Sequence, residues 1–475
     1  MGNQAVNGLF PREVIRVVTP GTLIEPGLLK NDSNNYLMSA VINGSRLGIS
    51  YADISTGEFY TAEIQTDKPE ADLLSEITRL NPSEIILSDK QEIDLPPYLH
   101  VTRVPAASFE YSRASSLLME HFSVNTLKGF GLADNAISVC AAGAIVAYLG
   151  KNQKNCLQLL TTLRVYSLND FMLLDASTRR NLELTETLRT KDTNGSLLGV
   201  LDKTVTAVGK RTLRQWVNKP LIDLNAITIR QNAIQALVDQ GMTRAELLSV
   251  MKDLSDLERL INRITSTNAL PRDLVAMRES LRILPEIIQL IEPIRDELRP
   301  AIGTILPLTE VYTILCEAIA DEPPATLGNT GIIRSGYSDE LDNVILHSHE
   351  ARSWMAGLEA KERERTGIKT LKVSYNKVFG YYIEISRALA ESAPENYIRK
   401  QTLVNAERFI TPEMKEYEAL ILNADETIHQ IELRLFEQIC HEISQYADDI
   451  LNTARSLGTL DALMSLAETA AVNNV

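Results

Sequence analysis

"LKVSYNKVFGYYIEIS", residues 371–386, lies between two long segments of helical spacing and does not share their period. Leu371, Val373 and Tyr375 fall on one side of an extended chain, and Lys372, Ser374 and Asn376 on the other. Such alternation marks a strand. Upstream, residues 336–367 repeat apolar side chains every three or four positions, and Gly367 supplies a stop. Downstream, Thr411-Pro412 reads as a cap and a first-turn proline. Helical spacing then runs from Met414 to Leu457. Residues 412–457 therefore predict one helix of roughly 70 Å, well beyond the usual globular length. One helix goes out and a longer one returns. Strands at about 370–377, 380–386, 397–403 and 405–411 would form a small sheet between them. A sheet this small is marginal alone, so its place at the end of an arm suggests that it touches something.

The rest of the chain divides in two. After a linker over residues 1–19, "YLMSAVI" (36–42), "LGISYADIS" (47–55) and "GEFYTAEI" (57–64) read as strands. The first two flank an Asn43-Gly44 hairpin turn. "EADLLSEITRL" (70–80) has helical spacing, "SEIILS" (83–88) is a short buried strand, and residues 134–152 form a helix. Strands followed by alternating helix and strand make a mixed α/β domain over 20–165. Beyond residue 166 helical periodicity takes over, as in 247–264 and 270–291, punctuated by Pro271, Pro285 and Pro293.

The chain has 475 residues, enough for several domains, and its 44% hydrophobic and 23% charged content is that of an ordinary globular protein. The longest apolar run, 137–150, is too short to span a bilayer. Cys140, Cys156, Cys316 and Cys440 form no CxxC and read as buried free thiols. The N-terminus lacks a signal-peptide pattern. A cytoplasmic protein with no membrane partner is expected. The six histidines offer no metal site.

The net charge of -15 argues against a basic coat but not against a local basic patch. Residues 368–411 carry seven cations (Lys369, Lys372, Lys377, Arg387, Arg399, Lys400, Arg408) and four acids (Glu384, Glu391, Glu395, Glu407), so 7 - 4 = +3. Asn376, Gln401, Thr402 and Asn405 add neutral donors. A positive tip on a negative body attracts phosphate, although lysines also blunt sheet edges.

Several strings make the chain similar to the MutS family of DNA mismatch repair proteins: "DASTRRNLEL" (175–184), "LLGVLDKTVTAVGKRTLRQWVNKPL" (197–221), and "ERERTGIKTLKVSYNKVFGYYIEIS" with "YIRKQTLVNAERFITPEMKEYE" (362–386 and 397–418). The resemblance implies a multidomain chain. It comprises an RNase H-like mixed α/β connector (20–165) and an all-α core with an ascending lever (166–367). A small inserted antiparallel β clamp (368–411) and a descending lever (412–475) follow. The family's clamp touches the duplex backbone without reading sequence. Those contacts carry over to Asn376, Lys377, Arg399, Lys400, Asn405 and Arg408. The resemblance also implies docking of MutL on the connector and homodimerisation of the full-length protein. ATP and Mg²⁺ would be bound by an ATPase domain beyond this chain. No Phe-x-Glu mismatch wedge and no GxxxxGK[ST] loop occurs here, so the chain is expected to be the middle of a MutS protein, with no cofactor and no catalysis of its own.

Two other classes compete. "YADISTGEF" (51–59) places Asp53 at a strand end, where with Glu84 or Asp89 it could hold Mg²⁺ in an RNase H-like nuclease. A purely structural arm with no ligand is the other. The helix in "GKRTLRQWVNKP" (209–220) could face nucleic acid, but a core helix with a solvated basic face of Lys210, Arg211 and Arg214 is favoured.

Overall fold

The computed structural model describes residues 17–25, 27–376 and 380–474. Two compact units emerge. One takes the chain through Ala269, with Ala276–Tyr312 and the segment from Cys440; the other takes Leu270–Val275 and Thr313–Ile439.

The first unit begins with a mixed α/β region. Strands β1 (Tyr36–Asn43), β2 (Arg46–Asp53) and β3 (Glu58–Gln65) form an antiparallel meander. β4 (Glu84–Ser88) joins parallel to β1, β5 (Val101–Val104) parallel to β4, and the short β6 (Arg164–Val165) parallel to β3. The sheet order is β5-β4-β1-β2-β3-β6. Both faces are covered, which is why β1 and β2 read as nearly continuous apolar runs. Leu37, Ala52 and Ile86 pack with Val139 and Ile145 of the helix Ile137–Asn152. Met38, Ala40 and Ile85 pack on the other side with Leu73 and Ile77 of the helix Pro69–Leu80. Gly48 permits the first of these contacts, because a Cβ there would stand 2.5 Å from the Ile137 carbonyl oxygen. The β1–β2 turn sits one residue later than expected. Asn43 pairs with Arg46, leaving Gly44-Ser45 as the turn, with φ +60° at Gly44. A positive φ at the first central residue alone is a type II′ turn.

Beyond Tyr166 the unit is mostly helical, and the stretches of helical periodicity are broken in three places. Residues 247–264 are split between Gly241–Met251 and Leu257–Thr265. The second starts where Asp256 accepts from the Arg259 N–H at 3.3 Å. Residues 270–291 divide into Pro271–Arg282 and Leu284–Ile291, with Pro285 in the first turn of the latter. The helix expected over 412–457 ends at Ser444 and restarts as Ala447–Asn473.

The expected solvated basic face on the helix Ala207–Asn218 is also corrected. Arg211 is buried, with Nη1 2.6 Å from Asp256 Oδ2 and Nη2 2.7 Å from Glu258 Oε2. A buried cation of this kind needs such partners. Nearby, Arg259 donates to the carbonyls of Lys30 and Ser33 at 2.9 and 3.0 Å, and Asn262 donates to Ser55 O at 2.9 Å. These bonds fasten the helices to the α/β region.

The same helix is held at its start by Asp461, which accepts from Thr206 Oγ1 (2.6 Å), Thr206 N (2.8 Å) and Val205 N (3.1 Å). Gly209 leaves room for this carboxylate; a Cβ there would lie 2.1 Å from Asp461 Oδ2. Burial pushes the Asp461 carboxyl up to about 6, against the opposing pull of its hydrogen bonds. The folded chain thus holds this proton more tightly than the unfolded chain, whose value is 3.8. Its contribution is fully present below the unfolded value and is lost as pH rises through about 6. In urea melts at successive pH values, Asp461→Asn should flatten the slope between about pH 4 and 6, a span worth up to about 3 kcal/mol. An unchanged slope would contradict this.

Candidate nucleic-acid interface

In the second unit the helix Asp339–Thr366 leads into the small sheet and the helix Pro412–Ser444 leads out. Ser338 Oγ caps the first helix through Leu341 N–H, and Gly367 ends it at φ 71° in the left-handed region. Thr411 Oγ1 accepts from Met414 N–H at 3.1 Å at the start of the second. Between them run β7 (Lys372–Asn376), β8 (Gly380–Ser386), β9 (Ile398–Thr402) and β10 (Ala406–Ile410), in the order β7-β8-β10-β9, all antiparallel.

The sheet and the helix ends share one core. Leu371, Ile383, Ile385 and Phe409 from the sheet region pack with Met355 and Leu358 of the first helix and Met414 and Ile421 of the second. Polar ties reinforce this. Tyr397 O–H donates to Glu362 Oε2 at 2.6 Å. Burial pushes the Glu362 carboxyl up, but the hydrogen bonds of Arg365 and Tyr397 outweigh it and hold the group below its ordinary value. Glu418 accepts from Tyr381 N–H at 2.8 Å and pairs with Lys415.

The register sorts the expected contact residues by face. Lys372, Glu384, Arg408 and Gln401 are successive cross-strand partners, so they share one face. Arg408 Nε donates to Glu384 Oε2 and Nη1 to Gln401 Oε1, both at 3.0 Å, and its guanidinium lies 4.2 Å from the Tyr382 ring centroid. Only 19% of its side chain is exposed. Arg399 stands opposite Phe409 after a register shift and pairs with Glu407 at 2.8 Å, on the other face. Residues 407 and 408 alternate, so Arg399 and Arg408 point in opposite directions. Lys400 is exposed on the edge strand β9, and Asn405 is exposed in the β9–β10 turn, where its carbonyl accepts from Arg387 N–H at 3.1 Å. Asn376 is half-buried at the end of β7 opposite Gly380. Lys377 lies outside the described residues.

Lys369, Lys372 and Arg387 are exposed as well and, like Lys400, form no ion pair among the described residues. The charge count marked them, but no motif singled them out. The pairs Arg399–Glu407 and Arg408–Glu384 cancel two charges of each sign. The surplus of +3 therefore rests on Lys369, Lys372, Lys377, Arg387 and Lys400 against Glu391 and Glu395, since 5 - 2 = 3.

The carboxylates of the nuclease reading are occupied. Asp53 is fully buried and accepts from Asn34 Nδ2, Asn35 N, Ser55 N and Ser55 Oγ at 2.7–3.0 Å. Glu84 accepts from Gly21 N, Thr102 Oγ1 and Tyr148 O–H. Asp89 accepts from Ala106 N at 3.0 Å. Among the described residues no group of three or more acidic, His or Cys side chains gathers as metal ligands, and no helix is long and apolar enough to cross a membrane.

Residues 35–162 match MutS domain II, and residues 177–467 match MutS domain III. The chain belongs to the MutS family. Among its relatives is the DNA mismatch repair protein MutS of Alkaliphilus oremlandii, 41% identical over 478 residues, which cover 98% of this chain and 54% of the relative. The MutS proteins of Halothermothrix orenii and Dehalococcoides mccartyi (strain 195) are each 42% identical, again across 98% of this chain and 52% and 54% of the relative. The chain thus spans about half the length of the curated MutS proteins it matches. The small sheet falls inside the MutS domain III match, and β1 to β5 inside the domain II match.

Gly380 joins the sheet to the following helix. Its φ is +76°, and a Cβ there would lie 1.6 Å from Glu418 Oε1. Gly380→Ala should therefore destabilise the second unit by more than about 1 kcal/mol. Hydrogen exchange of β7 and β8 reads this directly, and unchanged protection would contradict it.

Proposed function

We propose that this chain serves DNA mismatch repair as part of a MutS protein, with the small sheet acting as a clamp on the duplex backbone. The observation that carries this reading is the surplus of unpaired cations on a sheet whose own ion pairs are already closed. Phosphate contacts of this type position DNA without reading its sequence. Lys400, Lys372 and Arg387, with Asn405 as a neutral donor, are the contacts we favour. Arg408 serves the sheet, since its Nε and Nη1 donors are committed to Glu384 and Gln401. Arg399 can reach phosphate only from the opposite face. Lys377 and Asn376 remain part of the proposed contact set.

The two long helices would act as levers linking the clamp to an ATPase domain in the whole protein, where ATP and Mg²⁺ would bind. This chain contributes no catalysis. The meander followed by parallel strands in the α/β region supports an RNase H-like connector. That region would serve as a docking surface for MutL, in a cytoplasmic protein that dimerises at full length. The saturated carboxylates of Asp53 and Glu84 disfavour the nuclease reading.

Duplex binding by this chain should fall with salt at a log-log slope of roughly -3, as expected for three to four neutralised phosphates. G·T and fully paired duplexes should bind alike in anisotropy titrations. Lys400→Ala should flatten the slope by about one unit. A tenfold preference for G·T, or an unchanged slope in the variant, would refute the backbone reading. Arg408→Gln should instead loosen the sheet, seen as faster hydrogen exchange in β8 and β10 before any DNA is added. Unchanged exchange would show that the Arg408 bonds do not hold the sheet.

A further inference from the structure

A cavity of about 960 Å³ opens within the first unit, between the α/β region and the segment from Ala176 to Lys219. Its wall is strongly cationic: Lys30, Arg79, Arg179, Arg180, Lys191, Arg214 and Lys219 line it against a single acid, Glu186. Some of this charge is answered. Arg79 donates through Nε to Glu76 Oε1 at 2.7 Å, and Arg214 stands 3.9 Å from Asp32.

The other five form no ion pair among the described residues; Lys30, Arg180 and Lys191 are exposed, whereas Arg179 and Lys219 are drawn away from solvent. Arg179 is only 8% exposed, yet its bonds go to a carbonyl and an amide, Leu174 O at 3.2 Å and Asn218 Oδ1 at 3.3 Å. Lys219 Nζ lies 3.1 Å from Tyr51 Oη, with the rings of Tyr166, Phe171, Tyr51 and Tyr60 at 5.1–5.7 Å. Neither has a carboxylate at ion-pair distance among the described residues. Arg79, Arg179 and Lys219 face two local acids, Glu76 and Glu58, so the cluster carries 3 - 2 = +1. The members repel one another. Burial first, then Arg79, pushes the Lys219 ammonium down to about 7, and burial with Arg79 also lowers Arg179.

An enclosed charge without a counter-ion is costly. The rings around Lys219 offset part of that cost, but among the described residues no ring is stacked on Arg179. Seven cations on one wall suit a multiply charged oxyanion, and the volume falls in the range of small-molecule sites. Phosphate also matches the fork of an arginine beside the point charge of a lysine.

We propose that this cavity binds a small phosphate compound, its oxygens accepting from the Arg179 guanidinium and the Lys219 ammonium. The tyrosines on the wall, Tyr36, Tyr60 and Tyr98, leave room for an organic group on the phosphate. The site is separate from the small sheet and does not depend on the mismatch-repair reading.

Calorimetric titration of the whole chain with inorganic pyrophosphate at fixed ionic strength tests it. Saturable binding is expected, weakened about tenfold by Arg179→Gln and by Lys219→Met, the loss typical of one charge-assisted hydrogen bond. Arg282→Gln, at the exposed end of the helix Pro271–Arg282, should leave it unchanged. A second readout needs no substitution. In a pH titration of ¹³Cε-labelled lysine, the Lys219 midpoint should rise above about 7 when pyrophosphate is bound. A duplex oligonucleotide is the other arm. If only the duplex binds or moves the Lys219 midpoint, the small-molecule assignment is overturned in favour of a nucleic-acid backbone. It is equally overturned if pyrophosphate does not saturate, if folded variants bind it equally well, or if the midpoint stays fixed.

Discussion

A four-stranded sheet of short strands cannot bury a core of its own, and that constraint governs the second unit. Ile383, Ile385 and Phe409 find their partners in Met355, Leu358, Met414 and Ile421, on the two helices that enter and leave the sheet. The ends of those helices are therefore part of the sheet's interior. Cap and turn residues fix the junctions: Gly367 turns the chain out of one helix, Thr411 starts the next, and Gly380 makes room for Glu418. A surface built this way is held by long rigid elements on both sides. Such support positions a binding surface better than a free loop does.

Charge is distributed to match. The whole chain carries -15, so the residues outside 368–411 carry -15 - 3 = -18. Within the sheet, the arginines that form ion pairs, Arg399 and Arg408, are spent on Glu407 and Glu384. Lys369, Lys372, Lys400 and Arg387 face solvent. Lysine, with a compact charge on a flexible stem, suits contacts to a phosphate backbone that must tolerate any sequence. The first unit shows the opposite arrangement in the Arg211–Asp256–Glu258 group, where buried, matched charges join two helices to each other.

Much of this was legible because local chemistry and long-range packing agreed. The strands Lys372–Asn376 and Gly380–Ser386, the stop at Gly367 and the Thr411-Pro412 start all appear where the sequence places them. The failures have physical causes. The break at Gln445-Tyr446 carries neither proline nor glycine, and Ile443, Tyr446 and Ile450 keep a helical phase across it. The break before Leu257 was marked by Asp256, a good cap, but the flanking leucines hid it. Arg211 read as solvated because periodicity shows which face is apolar, not whether the polar face is covered; its acids lie 45 and 47 residues away. Arg399 and Arg408 looked equivalent in a charge count, and only the register shift between Arg408 and Phe409 separates their faces.

The central claim is that the small sheet, and not the helix of Arg211 and Arg214, meets the duplex. Hydrogen exchange of the unsubstituted chain with and without a fully paired duplex tests it most directly. Protection should concentrate in β9, the β9–β10 turn, the start of β7 and the backbone around Arg387, and should fade as salt is raised. Protection confined to residues 207–219, with none in the sheet, would contradict the account.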